Sequence, residues 1–428
     1  MNPHAHRGQA LLAVILLVLV LGAGSLLADG GLRTRAEARA HARSLAAVGE
    51  ARSALIGYAI SYAERHPGEG YGFLPCPDGG NDGSTDLGAC GARDSAAFGR
   101  LPWRTLGLPE LRDGWGECLW YAVAGSVKHN PKPLSLNWDS PGQFDLRDAG
   151  GEALPLATID GRAVALIFAP GPARAGQLRP HGRAIGCSGS DAVAADLTHY
   201  LDHPYPRVSA DPVTITLSRL QAGDASAAND VVAWVDIDEI FAALARRSDQ
   251  PAYLDGLIAR AAGALSARLS GAGRAAWLAA RAPRHGALHT APLPPAIVLE
   301  LPADERAELD RWRDQMRFAA CPEDEACITV QRSDGTERCA AVLGFAGERL
   351  RTGPTPQQRS GAVQRADPAQ YFEGRNAHGF ADGVALFEGA RAVARAPSTP
   401  STPSGPATSS SPTVAAAPTV NDVILCLP

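Results

Sequence analysis

Lysine is almost missing from this chain: Lys128 and Lys132 are the only two, so nearly all of its 40 positive charges are arginine. With so much alanine beside it, this imbalance reads as a GC-rich coding bias. The chain also lacks a surplus of positive charge. Its net charge is −5, which leaves no basic footprint for nucleic acid. There is no CxxC, and the gaps between the eight cysteines place no neighbouring histidine pair at ligand spacing, which argues against a zinc site and against dithiol redox catalysis. No phosphate loop or dinucleotide fingerprint occurs. The turn Gly186-Cys187-Ser188-Gly189-Ser190 lacks G-x-S-x-G spacing, and neither His181, His199 nor His203 is identifiable as its partner, so an exported hydrolase finds no nucleophile, base and orienting residue.

What is present is 428 residues, enough for two or three domains, with 45% hydrophobic residues for a packed core. Gly 45 and Pro 33 are high and predict many turns. From Gln9 to Ala28 no residue is charged. Twenty such residues in a helix span about 30 Å, the thickness of a bilayer core, which predicts a transmembrane segment over 9–28 or an export signal cut near Gly22-Ala23-Gly24-Ser25. After Asp29-Gly30-Gly31, an expected kink, residues 29–66 continue as an amphipathic helix, with Leu45, Val48, Leu55, Ala59 and Tyr62 at helical spacing and Pro67 ending the pattern.

All eight cysteines follow this segment: Cys76, Cys90, Cys118, Cys187, Cys321, Cys327, Cys339 and Cys426. An even number in an exported chain predicts disulfides, with pairing mostly inside the first four and inside the last four. Residues 67–235 read as an α+β head, with strands over Ala163–Ala169, Val213–Leu217 and Val231–Val235. Residues 236–320 read as a helical subdomain: Asp238–Arg247, Ala252–Leu269, and Ala303–Ala320 with Leu309, Trp312, Met316 and Ala320 on one stripe. Residues 321–395 read as a β-rich part. The Pro/Ser/Thr-rich stretch 396–420 buries too little to fold and reads as a disordered linker, and 421–428 reads as a terminal strand that docks back, with Cys426 available as a staple.

One acidic turn, Asp78-Gly79-Gly80-Asn81-Asp82-Gly83-Ser84-Thr85-Asp86, offers Asp78, Asp82 and Asp86 as oxygen ligands for calcium, against the plainer reading of a solvated turn beside a disulfide. No other cofactor is implied.

The leader ending in Arg7-Gly8, the apolar run, the amphipathic continuation and the Asp113-Gly114-Trp115-Gly116 segment before an aromatic strand together resemble type IV pilin-like proteins, the family of minor pilins and type II secretion pseudopilins. The resemblance implies a long N-terminal helix followed by a disulfide-containing α+β head. It implies a prepilin leader over 1–8, cut by prepilin peptidase between Gly8 and Gln9, methylation of the new terminus, and no enzymatic activity. Its partners would be the inner membrane and sibling subunits whose helices pack with this one. Ala13 stands where most members carry a glutamate, which resembles the large members at filament tips. The location implied is the inner membrane, single-pass, with the body in the periplasm. The alternative is an exported or anchored periplasmic binding protein unrelated to filaments. The mature N-terminal residue separates the two.

Overall fold

In the computed structural model the described residues are 5–85, 88–179, 187, 196–217, 228–351, 356–393 and 421–428, with the side chains of the first helix described at 14–18 and from 31 onward. The chain starts as one helix, α1 (Ala5–Ile60), of 56 residues, followed by the short α2 (Tyr62–Arg65). The helix continues through Asp29-Gly30-Gly31 without a break.

The expectation of a membrane-spanning first half is corrected here: among the described residues no helix is long and apolar enough to cross a membrane. The part of α1 from Gly31 carries Arg33, Arg35, Glu37, Arg39, Arg43, Glu50 and Arg52, too much charge for a bilayer core.

The head begins with a five-stranded antiparallel sheet ordered β5-β1-β2-β4-β7, from β1 (Ala96–Arg100), β2 (Trp120–Val123), β4 (Ala165–Ala169), β5 (Val208–Ser209) and β7 (Val231–Val235). β3 (Phe144–Arg147) and β6 (Val213–Thr216) pair in parallel beside it. β2 and β4 are buried at every position, because α1 covers β4 and β7 on one side while loop residues such as Tyr200 and Tyr205 pack near Trp120 and Phe168. Next come α3 (Ile237–Ala245), started by a reciprocal Asp236–Glu239 capping box, then α4 (Gln250–Leu269) and α5 (Arg274–Arg281).

Residues 236–320 are not a separate helical subdomain. They also contain the hairpin β8 (Arg284–His285) and β9 (Leu288–Pro292), then α6 (Pro295–Val298) and α7 (Ala303–Trp312). The helix expected over Ala303–Ala320 stops at Trp312, and Met316–Ala320 is the strand β10. β10 is the centre of a second antiparallel sheet, β15-β13-β10-β9-β8, completed by β13 (Ala341–Phe345) and β15 (Val423–Leu427). A small sheet, β12 (Gly335–Cys339), β11 (Ile328–Arg332) and β14 (Leu386–Glu388), lies beside it, with α8 (Ala362–Ala366) and α9 (Gly374–Asp382) filling the return to β14. The stretch 396–420 lies outside the described residues.

Trp138 from the first half packs edge-on against Phe241, Trp312 and Phe345. Beside this cluster Arg359, fully buried, pairs with Asp139 at 2.9 Å, and Gln315 donates to the same carboxylate at 2.9 Å. Such a pair holds only because its remaining donors are also satisfied, here by Gln357 and backbone carbonyls. Asp238 at the start of α3 binds Arg349 (3.5 Å) and Arg351 (2.9 Å) of the segment after β13. Burial outweighs both guanidiniums and pushes its carboxyl up to about 6.

The eight cysteines form four disulfides: Cys76–Cys90, Cys118–Cys187, Cys321–Cys327 and Cys339–Cys426. None is free, a pattern that belongs to an oxidising, extracytoplasmic compartment. The last staples the terminal strand across 87 residues.

Two outcomes follow from these ties. Cys426→Ser frees β15 from its staple and lowers stability by about 2–4 kcal/mol, read as a fall in the urea midpoint under non-reducing conditions. The folded Asp238 carboxyl holds its proton to a higher pH than the unfolded one. The folded state therefore binds more protons between about pH 4 and pH 6, and the Asp238 contribution to stability falls as pH rises through that window. Subtracting the pH profile of Asp238→Asn from that of the parent isolates this slope; parallel profiles would remove the effect.

Candidate functional site

Helix α1 is two things along one rod. Its second half presents Ala40, Ser44, Ala47, Val48, Ala51, Leu55, Tyr58 and Ala59 as a buried stripe. Small residues on that stripe let the helix axis lie close to the sheet, while Leu55 and Tyr58 supply apolar area worth about 1.5–3 kcal/mol per large side chain. Leu45, expected in the stripe, is half exposed, because it sits about a quarter turn from Ser44.

The closest approach is at Gly114. Its backbone N–H donates to Ser44 Oγ at 3.0 Å, and Ser44 Oγ donates to Ala40 O at 3.3 Å. A Cβ on Gly114 would stand 1.8 Å from Ala40 O, so no residue but glycine fits. Asp113 holds the loop in shape: Oδ1 accepts from Trp115 N and Glu117 N, each at 2.8 Å, and Oδ2 from Gly171 N at 2.8 Å. Burial nevertheless pushes its carboxyl above the usual range, outweighing those three donors. Trp115 is only half-buried, whereas Tyr121 is fully buried.

Farther along, Arg52 Nε donates to Trp234 O at 2.7 Å and its Nη2 pairs with Glu239. Arg247 Nη1 donates to Ile60 O at 2.9 Å. The helix end is thus tied to both β7 and α3.

Elsewhere on the rod, described apolar side chains stand exposed. Val14, Ile15, Leu16, Leu17 and Val18 are 48% to 66% exposed, and Leu32 is 62% exposed. An exposed aliphatic run of this kind marks an interaction surface. Opposite the buried stripe, Ala42, Ala46, Gly49 and Ser53 are exposed, with Gly57 half-exposed one turn on, and nothing lies within 4 Å of a Cβ placed on Gly49 or Gly57. Steps of four, three, four and four put these small residues on one line.

The other expected site residues are placed as follows. Gly8 and Gln9 lie in the first turns of α1, and their side chains fall outside those described. Asp78 is buried, its two oxygens taken by Asp82 N (3.1 Å) and Gly83 N (2.6 Å); Asp82 Oδ1 accepts from Ser84 N at 2.7 Å. These carboxylates shape the turn beside Cys76–Cys90, and Asp86 lies outside the described residues. Among the described residues no three metal-ligating groups converge. Cys187 is bound to Cys118; the serines flanking it, and His181, lie outside the described residues. His199 Nδ1 accepts from Leu178 N at 3.2 Å, and His203 packs edge-on to Tyr205.

Sequence reasoning treated Lys128 as a matter of composition only. It is fully buried, and its ammonium donates to the carbonyls of Cys90 (2.9 Å), Ala92 and Ser95 (2.7 Å), closing the loop behind the first disulfide. A lone lysine in an arginine-rich chain was the available signal, since three donors from one compact charge suit three converging carbonyls better than a planar fork does. Comparisons with known protein families, curated proteins and solved structures gave no match.

Gly114→Ala drives a methyl into the α1 backbone and is expected to cost about 2–3 kcal/mol, read from urea denaturation, with proteolysis near Ala40 accelerated. A stability equal to the parent's would show that the loop does not clamp the helix.

Proposed function

We propose that this protein is a pilin-like filament subunit, a large minor pilin or pseudopilin, working outside the cytoplasm and without enzymatic activity. The observation that carries the reading is the division of α1. One stripe from Ala40 to Ala59 is given to the head, while exposed aliphatic residues from Val14 to Val18 and a line of small residues on the far face stay available to other helices. Helices that present small residues approach closely, and aliphatic side chains exposed on a rod are covered when like rods pack side by side. The head then faces partners or secreted substrate.

The reading rests on helix packing and does not require a bilayer-spanning segment. It places the body of the chain outside the cytoplasm, in the compartment that its four disulfides fit. Cleavage after Gly8 would remove the first turn of α1 and leave Gln9 at the new end.

Intact-mass and N-terminal analysis of protein from its native host tests this. The expected mature chain begins at Gln9, and Gly8→Val is expected to keep all eight leader residues. A chain that begins at Met1 in a host with active peptidase, or beyond Ala23, contradicts the proposal.

A further inference from the structure

A second feature lies away from α1. Residues 157–159 in the first half, with 349, 351 and 356–360 after β13, line a pocket of about 400 Å³. Its wall includes Thr158, Arg349, Arg351, Gln357, Gln358 and Ser360; Arg359 also reaches it, and among the described residues no acidic side chain lines it.

We propose that this cavity binds a monovalent carboxylate carried on an organic body, such as a free organic acid or a polypeptide C-terminus. The proposal stands independently of the reading of α1.

The charges decide the class of ligand. Arg359 is neutralised by Asp139 and has its guanidinium fully engaged. Arg349 and Arg351 share a single carboxylate, Asp238, which stands behind the cavity wall. Within this ion-paired group two guanidiniums meet one carboxylate, an excess that one monoanion balances, while the nearby charges of Asp236 and Glu348 disfavour a second negative charge. Of the other acids near Asp238, Asp236 caps α3 by accepting from Glu239 N at 2.8 Å, and Glu348 lines the neighbouring cavity instead.

Hydrogen bonding points the same way. Arg349 is 9% exposed, and its Nη2 is taken by Ala157 O and Asp238, yet its Nη1 lies buried with no acceptor among the described residues. A buried charged donor left without an acceptor is costly, and a carboxylate is the acceptor that matches a guanidinium edge. Arg351 is 40% exposed at its side chain and supplies a second, more adaptable donor at the mouth. The volume exceeds what a bare carboxylate needs, which leaves room for the body that carries it, against Gln358 and Ser360.

Calorimetric titration of the full oxidised chain tests this with four probes: acetate, N-acetylalanine, N-acetylalaninamide and inorganic phosphate. N-acetylalanine is expected to bind saturably and the amide not at all. Arg351→Gln, at a half-exposed position, is expected to fold and to bind about tenfold more weakly. Arg349→Met is expected to abolish binding, with its thermal melt recorded to separate loss of the site from loss of the fold. Acetate binding as tightly as N-acetylalanine supports a free acid as the natural ligand, and weaker acetate binding supports a peptide terminus. Absence of saturable binding, equal binding of the amide, tighter binding of phosphate, or unchanged affinity in a folded Arg351→Gln chain would overturn the assignment.

Discussion

A helix can come close to a sheet only where both surfaces are small, and that constraint governs this molecule. The stripe of α1 that enters the head alternates small residues, Ala40, Ser44, Ala47, Ala51 and Ala59, with anchors at Leu55 and Tyr58. At its tightest point a glycine on the opposing loop is required, because the backbone carbonyl of Ala40 occupies the space of a Cβ. Asp113 fixes that loop through three backbone N–H groups, so one buried carboxylate sets where the glycine stands. Without the clamp the ties of Arg52 and Arg247 still hold the end of the helix, and the close approach at Ala40 and Ser44 is what is lost. With it, the far face and the first half of the rod are held outward.

The two larger sheets of the head, both antiparallel, are joined through an aromatic cluster and a buried ion pair. Trp138 reaches Phe241, Trp312 and Phe345, and Asp139 next to it holds Arg359. Neighbouring residues on one loop thus deliver both the apolar and the polar half of the joint. The terminal strand completes the second sheet, paired along β13 and stapled to β12 by Cys339–Cys426. Four closed disulfides fit a chain that works where thiols are oxidised.

Much of this was legible. The helical stripe to Tyr62 apart from Leu45, strands inside the expected 163–169, 213–217 and 231–235, and a terminal strand that returns to the body all follow from local pattern. The errors have physical causes. Met316–Ala320 was read as helix because a strand buried on both faces between β9 and β13 shows no alternation, and Leu309, Trp312 and Met316 happen to fall at helical steps. The hairpin at 284–292 carries too short a pattern to register. A membrane span was inferred from hydropathy, and among the described residues no helix meets that requirement. The role of Gly114 was half visible: the Asp-Gly-Trp-Gly segment stood out before an aromatic strand, but the reason for the glycine lies at Ala40, more than seventy residues earlier, and no local signal carries such a contact. The cavity at Arg349 and Arg351 was invisible for the same cause, since Asp238 and Thr158 approach it only through the fold.

The central claim is that α1 gives one face to its own head and the opposite face to other chains. Photo-crosslinkers placed singly at Ala46, on the exposed face, and at Ala51, on the buried face, read this directly in the native host. The account predicts that Ala46 captures another filament subunit while Ala51 yields only crosslinks within the chain. Crosslinks from Ala46 confined to its own head, or intermolecular capture from Ala51 and not from Ala46, would contradict it.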